Sequence, residues 1–332
     1  MRFSLATLVA LSLLWWCGAG ELAAASSLPS FGNHEWLNGQ PLTPGQLKGK
    51  IAVLRFYEEG CPTCRATWVS VNKMAHPWKT DKNVMLIAVS SGCAKGAVQT
   101  YAQAVKLDDW SVLVDEDRSF EKNFGFTISL QNIYQAMFLA PDGTLTPING
   151  KEPEMGADIQ RLYDQYKGQV VWKIDPKEVP ASANALWQAY EYEQWSIVMT
   201  KLPDALRSSD AAVKALGGKI DTAIKAEIKK RMDEAKAKVD AGDKWGGFKI
   251  YEAVIADFGA TNDTREAVPL AQKLRQDRKV GNEFTARDTY LKGKAMFADP
   301  KQKKQGEVYL QSIVDNYKDT EAAGMAKTLL GK

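Results

Sequence analysis

The chain has 332 residues, 45% of them hydrophobic, with 43 basic and 40 acidic side chains giving a net charge of +3. That length allows two globular domains, and the near balance of charge argues against a polyanion-binding protein. Two local basic clusters, Lys273/Arg275/Arg278/Lys279 and Lys301/Lys303/Lys304, are bordered by acids and lack interleaved aromatics, so nucleic acid is not an expected partner.

Residues 1–25 read as an export signal. Arg2 supplies a short positive region, residues 5–16 an apolar run too short for a confident span, and Ala23-Ala24-Ala25 the small residues for cleavage. Lipid attachment at Cys17 is disfavoured by the bulky Trp15-Trp16 before it, and an uncleaved anchor is the competing reading. No later segment approaches 18 continuous apolar residues, so no membrane span is expected after leader removal. The expected location is extracytoplasmic, the bacterial periplasm being the leading choice. Loss of Cys17 leaves Cys61, Cys64 and Cys93, an odd number for a disulfide scaffold.

From about residue 50 to 150 the chain alternates strand-like and helix-like segments. Residues 51–57 and 84–89 are nearly continuous apolar runs, as expected of strands covered on both faces. Between them, residues 64–75 read as a helix with Trp68, Val71 and Met74 on one face and Pro77 as its stop. Further elements follow: a helix over 98–105, a strand over 111–114, and a short helix with Phe120 and Phe124. The last element is a hairpin of 137–140 and 145–148 around Pro141-Asp142-Gly143.

The chemistry-bearing motif is Cys61-Pro62-Thr63-Cys64, placed after the first apolar strand and at the start of the helix. A cysteine at a helix N-terminus faces unpaired N–H groups and the positive end of the dipole, which favours a thiolate, and two intervening residues keep the second sulfur near enough to resolve a mixed disulfide. Half a zinc site has the same spacing. With His34 and His76 the only histidines and no second CxxC, no metal and no cofactor are expected; a structural disulfide remains an alternative. Cys93, just after the 84–89 strand, reads as a small residue at a strand end or as an accessible third thiol.

Over residues 29–150 the chain resembles the thioredoxin superfamily, in particular its exported reductase-like branch. The resemblance rests on Asn38-Gly39-Gln40-Pro41-Leu42, Leu47-Lys48-Gly49-Lys50, the strand ending in Phe56-Tyr57, Cys61-Pro62-Thr63-Cys64-Arg65 and Phe138-Leu139-Ala140-Pro141-Asp142-Gly143. It implies a thiol–disulfide exchanger with Cys61 as exposed attacking thiol and Cys64 as buried resolving thiol, supported by Pro62 and Thr63. Several positions depart from the family pattern. Gly60 stands where Trp is usual, which opens the approach to the sulfur. Arg55 stands where a buried acid or its amide is common, so its guanidinium is expected to reach water or to pair with an acid such as Glu58 or Glu59. No proton acceptor for Cys64 sits there, although those two acids are close in sequence, and Thr67 replaces another acid. The family's cis-proline before the last hairpin is missing, and Gln135 falls nearest that place with a trans peptide expected.

Past about residue 178 the pattern is helical. Residues 182–199 are helix-like and rich in aromatics, and 212–239 carry Leu216, Ile220, Ile224, Ile228 and Met232 at four-residue spacing. Ile250, Val254, Ile255, Phe258 and Thr261 correspond to Tyr309, Ile313, Val314, Tyr317 and Thr320, and Ala267, Ala271 and Leu274 to Ala322, Ala326 and Leu329. Helix pairs with alanines at close approaches resemble tetratricopeptide-like hairpins in degenerate form. The expected architecture is an α/β thioredoxin-like domain (26–150, mixed central sheet flanked by helices), a connecting segment (151–181) able to hold a last helix of that domain, and an all-α helical-hairpin repeat domain (182–332). The expected activity is thiol–disulfide exchange on protein disulfides. Its partners would be a protein thiol or disulfide substrate or a redox donor, with the helices binding a protein partner or a second copy. A thioredoxin-fold binding or assembly protein with weak or no catalysis is the alternative.

Overall fold

A computed structural model of the chain describes residues 27–331 except 33, 40 and 260, so the expected export signal over 1–25, with Cys17, lies outside the described residues. Two compact units meet in sequence at Val171/Trp172, inside the segment 151–181.

The first unit is built on a six-stranded mixed sheet in the order β1-β4-β3-β2-β5-β6. The strands are β1 (Glu35–Leu37), β2 (Ala52–Tyr57), β3 (Met85–Ser91), β4 (Ser111–Asp115), β5 (Gln135–Leu139) and β6 (Leu145–Asn149). β2, β3 and β4 are parallel, while β1 on β4, β5 on β2 and β6 on β5 are antiparallel. The helices are α1 (Pro62–Thr80), α2 (Lys95–Val105), α3 (Ser119–Lys122) and α4 (Glu154–Tyr166). This is the thioredoxin-like arrangement of mixed sheet and flanking helices. Every residue of β2 is buried, and its side chains alternate between faces. Phe56 joins an aromatic cluster with Phe120, Phe124 and Phe126, whereas Arg55 and Tyr57 meet Trp68 of α1 on the other face.

Pro77 does not end α1. A proline removes one N–H, but its carbonyl still accepts, here from Asp81 N at 2.8 Å, and the extra turn buries Trp78 edge-on against Tyr163 of α4. β1 was not legible: three residues with one edge pairing carry no periodicity of their own.

The second unit is all-helical: α5 (Asn184–Glu191), α6 (Trp195–Arg207), α7 (Ala211–Asp240), α8 (Lys244–Phe258), α9 (Ala267–Arg275), α10 (Arg278–Ala298), α11 (Lys303–Asn316) and α12 (Glu321–Leu329). Residues 182–199 do not form one helix. Glu193 takes a left-handed conformation (φ 53°) and Gln194 N bonds Ala189 O, so the chain turns between α5 and α6 while Trp187, Tyr190 and Trp195 all stay in the core. In α7 the four-residue stripe Leu216, Ile220, Ile224 and Ile228 is buried, with Met232 at its margin. α10 and α11 come close enough at Gly306 that a Cβ there would lie 2.3 Å from Phe297 N and 2.8 Å from Gly293 O.

Because those neighbours are backbone, Gly306→Ala must force α10 and α11 apart and should lower stability by about 1–3 kcal/mol. Gly218, in the middle of α7 with open space around its Cβ position, should behave oppositely. Gly218→Ala should gain about 0.5–1 kcal/mol through helix propensity. Urea unfolding midpoints of the two variants check both signs.

Candidate functional site

The C-terminal end of β2 delivers the dithiol. Tyr57 is followed by a tight turn in which Cys61 N donates to Glu58 O at 3.2 Å, and Cys61 becomes the N-cap of α1 with Pro62 in the first turn, where no N–H is needed. As cap, the Cys61 sulfur accepts the Cys64 N–H at 3.1 Å. This bond turns Cys61 inward. Its exposure is 2% against 0% for Cys64, so the expected exposed attacking thiol is nearly as buried as its partner, even though Gly60 beside it is open to solvent. Both cysteines are thiols here. Pro62 and Thr63 are exposed on the first turn of α1.

Cys64 lies wholly inside, and burial, followed by the Cys61 sulfur, pushes its thiol up to about 12. Arg55 opposes that shift electrostatically. The Arg55 guanidinium is 0% exposed and finds no acid partner among the described residues, contrary to the expectation that it reaches water or pairs with an acid such as Glu58 or Glu59. Both acids are engaged elsewhere. Glu58 pairs with Arg118 at 3.2 Å, while Glu59 accepts the Ser90 hydroxyl at 2.5 Å and lies beside Cys93. Arg55 Nε instead donates to Gly150 O at 2.9 Å and Nη2 to Thr67 Oγ1 at 3.3 Å, and its plane stacks on Trp68 at 4.1 Å. Thr67 Oγ1 in turn donates to the Cys64 carbonyl at 2.9 Å.

Gln135 opens β5 at the same end of the sheet, since its neighbour Ala136 stands in register with Arg55. The one cis peptide among the described residues is Glu152–Pro153, so Gln135 is trans. Cys93 is half-buried just beyond β3, and burial together with the Glu59 carboxylate pushes its thiol up to about 11. Glu59 therefore stands with Cys93 rather than with Cys64.

Sequence reading missed Tyr101 of α2, whose ring stacks on Tyr57 at 5.4 Å and whose hydroxyl is raised by burial and then by Cys64. The apolar face Val98, Tyr101, Ala102 and Val105 was the available signal. It missed Arg118 as well, which covers Gly92 and joins Glu58, Glu121 and Ile128 O. His34, Asp115 and Asp117 offer ligand atoms within 4.8 Å of one another. Their geometry is that of a helix cap: the Asp115 oxygens already accept from Phe120 N and Glu121 N, and Asp117 accepts from Ser119 N.

With cysteine ionisation near 12, Cys64 at pH 7.5 holds far less thiolate than an ordinary thiol, and the greater nucleophilicity of a basic sulfur recovers only about half of that deficit on a logarithmic scale. In a Cys61→Ser/Cys93→Ser protein the burial of Cys64 remains while the contribution of the Cys61 sulfur is lost, so Cys64 should still react with a small disulfide more slowly than free glutathione thiol, by up to about 30-fold. The rate should climb about tenfold per pH unit up to pH 11 without a plateau. Stopped-flow reaction with an aromatic disulfide reads both the deficit and the slope.

The Redoxin family model matches residues 23–145. No curated protein is significantly similar to the chain. Among solved structures, the chain is similar to dsbF of MTB, with 24% identity over 43% of this chain and 97% of that one, TM-score 0.36. A second likeness is to the thioredoxin domain of a thiol-disulfide oxidoreductase from Bacteroides vulgatus, 17% identical over 42% and 98%, TM-score 0.36. A third is to BsSco, a member of the Sco family of cytochrome c oxidase assembly proteins, 20% identical over 46% and 98%, TM-score 0.36. Each likeness covers less than half of this chain; its N-terminal part carries a thioredoxin-like, Redoxin-type domain with a closely spaced cysteine pair.

Proposed function

We propose that the chain is an exported thiol–disulfide oxidoreductase that exchanges electrons with protein disulfides through Cys61 and Cys64. The observation that carries this reading is the Cys61 sulfur capping α1 on the Cys64 N–H, with both thiols at the end of the central strand. The Cys61 thiolate attacks a substrate disulfide, forming a mixed disulfide and expelling one substrate thiolate, which takes a proton. Cys64 loses its proton to solvent and attacks the Cys61 sulfur, forming the Cys61–Cys64 bond and releasing the second substrate thiol. Two electrons pass to the substrate, and a donor dithiol returns them. Pro62 and Thr63 shape the first turn, and Gln135 offers its trans backbone to an extended substrate at the same sheet end.

The helical unit supplies partner recognition or assembly in this proposal. Its α8/α9 and α11/α12 pairs carry the corresponding alanines, Ala267 and Ala271 against Ala322 and Ala326, all buried, which supports a tetratricopeptide-like reading of the region. The burial of Cys61 favours a second reading, a binding or assembly protein with little catalysis.

Incubating the reduced chain with glutathione disulfide separates the two. Exchange predicts a Cys61–Cys64 disulfide in the natural sequence, a stable glutathione adduct on Cys61 in Cys64→Ala, and reaction slowed about tenfold or more in Cys61→Ala, where the raised thiols of Cys64 and Cys93 remain. Mass spectrometry reads all three. An unreactive Cys61 in the folded protein selects the binding reading. A chain ending at Val171 should keep exchange with glutathione disulfide and lose preference for captured protein partners; unchanged preference would remove recognition from the helices.

A further inference from the structure

Arg55 is a buried cation with no ion-pair partner among the described residues. Its Nε and Nη2 are held by neutral acceptors, Gly150 O and Thr67 Oγ1, and Nη1 has no hydrogen-bond partner. Neutral acceptors and the Trp68 face solvate a guanidinium without neutralising it. The groups able to carry negative charge toward it come from every element around it: Tyr57 on its own strand, Cys64 on α1, Tyr101 on α2, Tyr134 before β5, and Glu152 before α4. Burial keeps the Tyr57 and Tyr101 phenols protonated, and the Glu152 carboxylate accepts the Gly156 N–H at 3.0 Å at the start of α4. Cys64 alone among them must gain and lose charge during exchange, and Thr67 links its carbonyl to the guanidinium.

We propose that Arg55 is a positioning residue for the resolving step, holding the Cys64 sulfur as an anion while it attacks the mixed disulfide. The inference rests on the exchange reading above. In that step Cys64–SH releases its proton to solvent, and the Cys64 sulfur forms a bond to the Cys61 sulfur. The bond from Cys61 to the substrate sulfur breaks, and the departing thiolate takes up a proton. The burden Arg55 relieves falls on the buried sulfur, which must be charged before the S–S bond can form. The electrostatic signs agree, since Arg55 draws the Cys64 thiol down and Cys64 draws the guanidinium up, each against its own burial.

The test uses the full chain carrying Cys61→Ser and Cys93→Ser, which isolates Cys64, with its ionisation followed by thiolate ultraviolet absorbance. Arg55→Met, which keeps an apolar stem over Trp68, should raise the Cys64 midpoint by about one unit or more, and Arg55→Lys should restore it to within about half a unit. With Cys61 present, release of glutathione from a preformed Cys61 mixed disulfide should slow about threefold for each unit gained, and recover with lysine. An unmoved Cys64 midpoint in a folded Arg55→Met protein overturns the proposal. Should Arg55→Met not fold, the Arg55 guanidinium ¹⁵N resonances of the isolated-Cys64 protein decide. Movement through the Cys64 titration supports the link, and flat resonances overturn it. The ionisation readout does not depend on activity. A midpoint that follows Arg55 in a protein unable to exchange with glutathione disulfide rejects the exchange reading while supporting the Arg55–Cys64 link.

Discussion

A guanidinium buried at the centre of the sheet is the constraint around which the first unit is arranged. Stripping water from a cation costs several kcal/mol, and the protein recovers that only with well-placed acceptors. Arginine is the cation best suited to such a place, because its charge is delocalised, weakly hydrated and able to stack on an aromatic face. Each contact of Arg55 fixes a different element. Gly150 O brings the end of β6 against β2, Thr67 sets the rotation of α1, and Trp68 provides the ring. Gly150 has no freedom to be anything larger, since a Cβ there would sit 2.9 Å from the Tyr134 carbonyl carbon and 3.0 Å from its oxygen. The same closeness lets Gly150 N bond Tyr134 O while its own carbonyl faces Arg55.

Charge of opposite sign then sorts the buried Cys64 and the half-buried Cys93 at one end of the sheet. Burial raises both Cys64 and Cys93. Glu59 adds to the rise at Cys93, while Arg55 works against it at Cys64. The helix N-terminus faces Cys61 and Cys64 but not Cys93, which follows β3 and precedes α2. Cys64 and Cys93 both stay protonated at rest, but of the two only Cys64 has a cation beside it that favours its charged form.

The sequence announced the parts with strong local grammar. Continuous apolar runs marked β2 and β3, Pro141-Asp142-Gly143 marked the hairpin, and CxxC after a strand marked the start of α1. Weaker grammar failed where tertiary contacts decide. β1 exists through pairing with β4, and Pro77 sits inside a helix because Trp78 has a partner in Tyr163. The break at Glu193 preserves burial on both sides of the turn, so apolar spacing could not reveal it. At the site, residue types near the dithiol were visible, but their pairings were not. Adjacency in sequence suggested Glu58 or Glu59 for Arg55, whereas strand alternation and the turn after Tyr57 send those acids to Arg118 and to Ser90 and Cys93. The inward rotation of the Cys61 sulfur depends on a single capping bond that no residue pattern encodes.

The two units also differ in how completely they satisfy their buried polar groups. Among the described residues, buried side-chain atoms without a hydrogen bond occur on Arg55, Tyr57, Glu59, Trp68, Ser91, Tyr101 and Glu121, all in the first unit. Buried polar side chains of the helical unit are matched. Glu191 accepts from Lys173 N and Ile174 N, Thr264 donates to Gly259 O, and Glu283 accepts from Glu321 N. Unmatched polar atoms in a low-dielectric interior are costly, and a fold keeps them where chemistry needs charge or protons to change place. Four of the seven residues, Arg55, Tyr57, Trp68 and Tyr101, stand on the side of β2 that faces α1, the helix that carries the dithiol. The helical unit has matched buried polar groups and alanine or glycine at its close approaches. The larger share of the unmatched polar atoms in the first unit lies on the face of β2 that meets the dithiol helix.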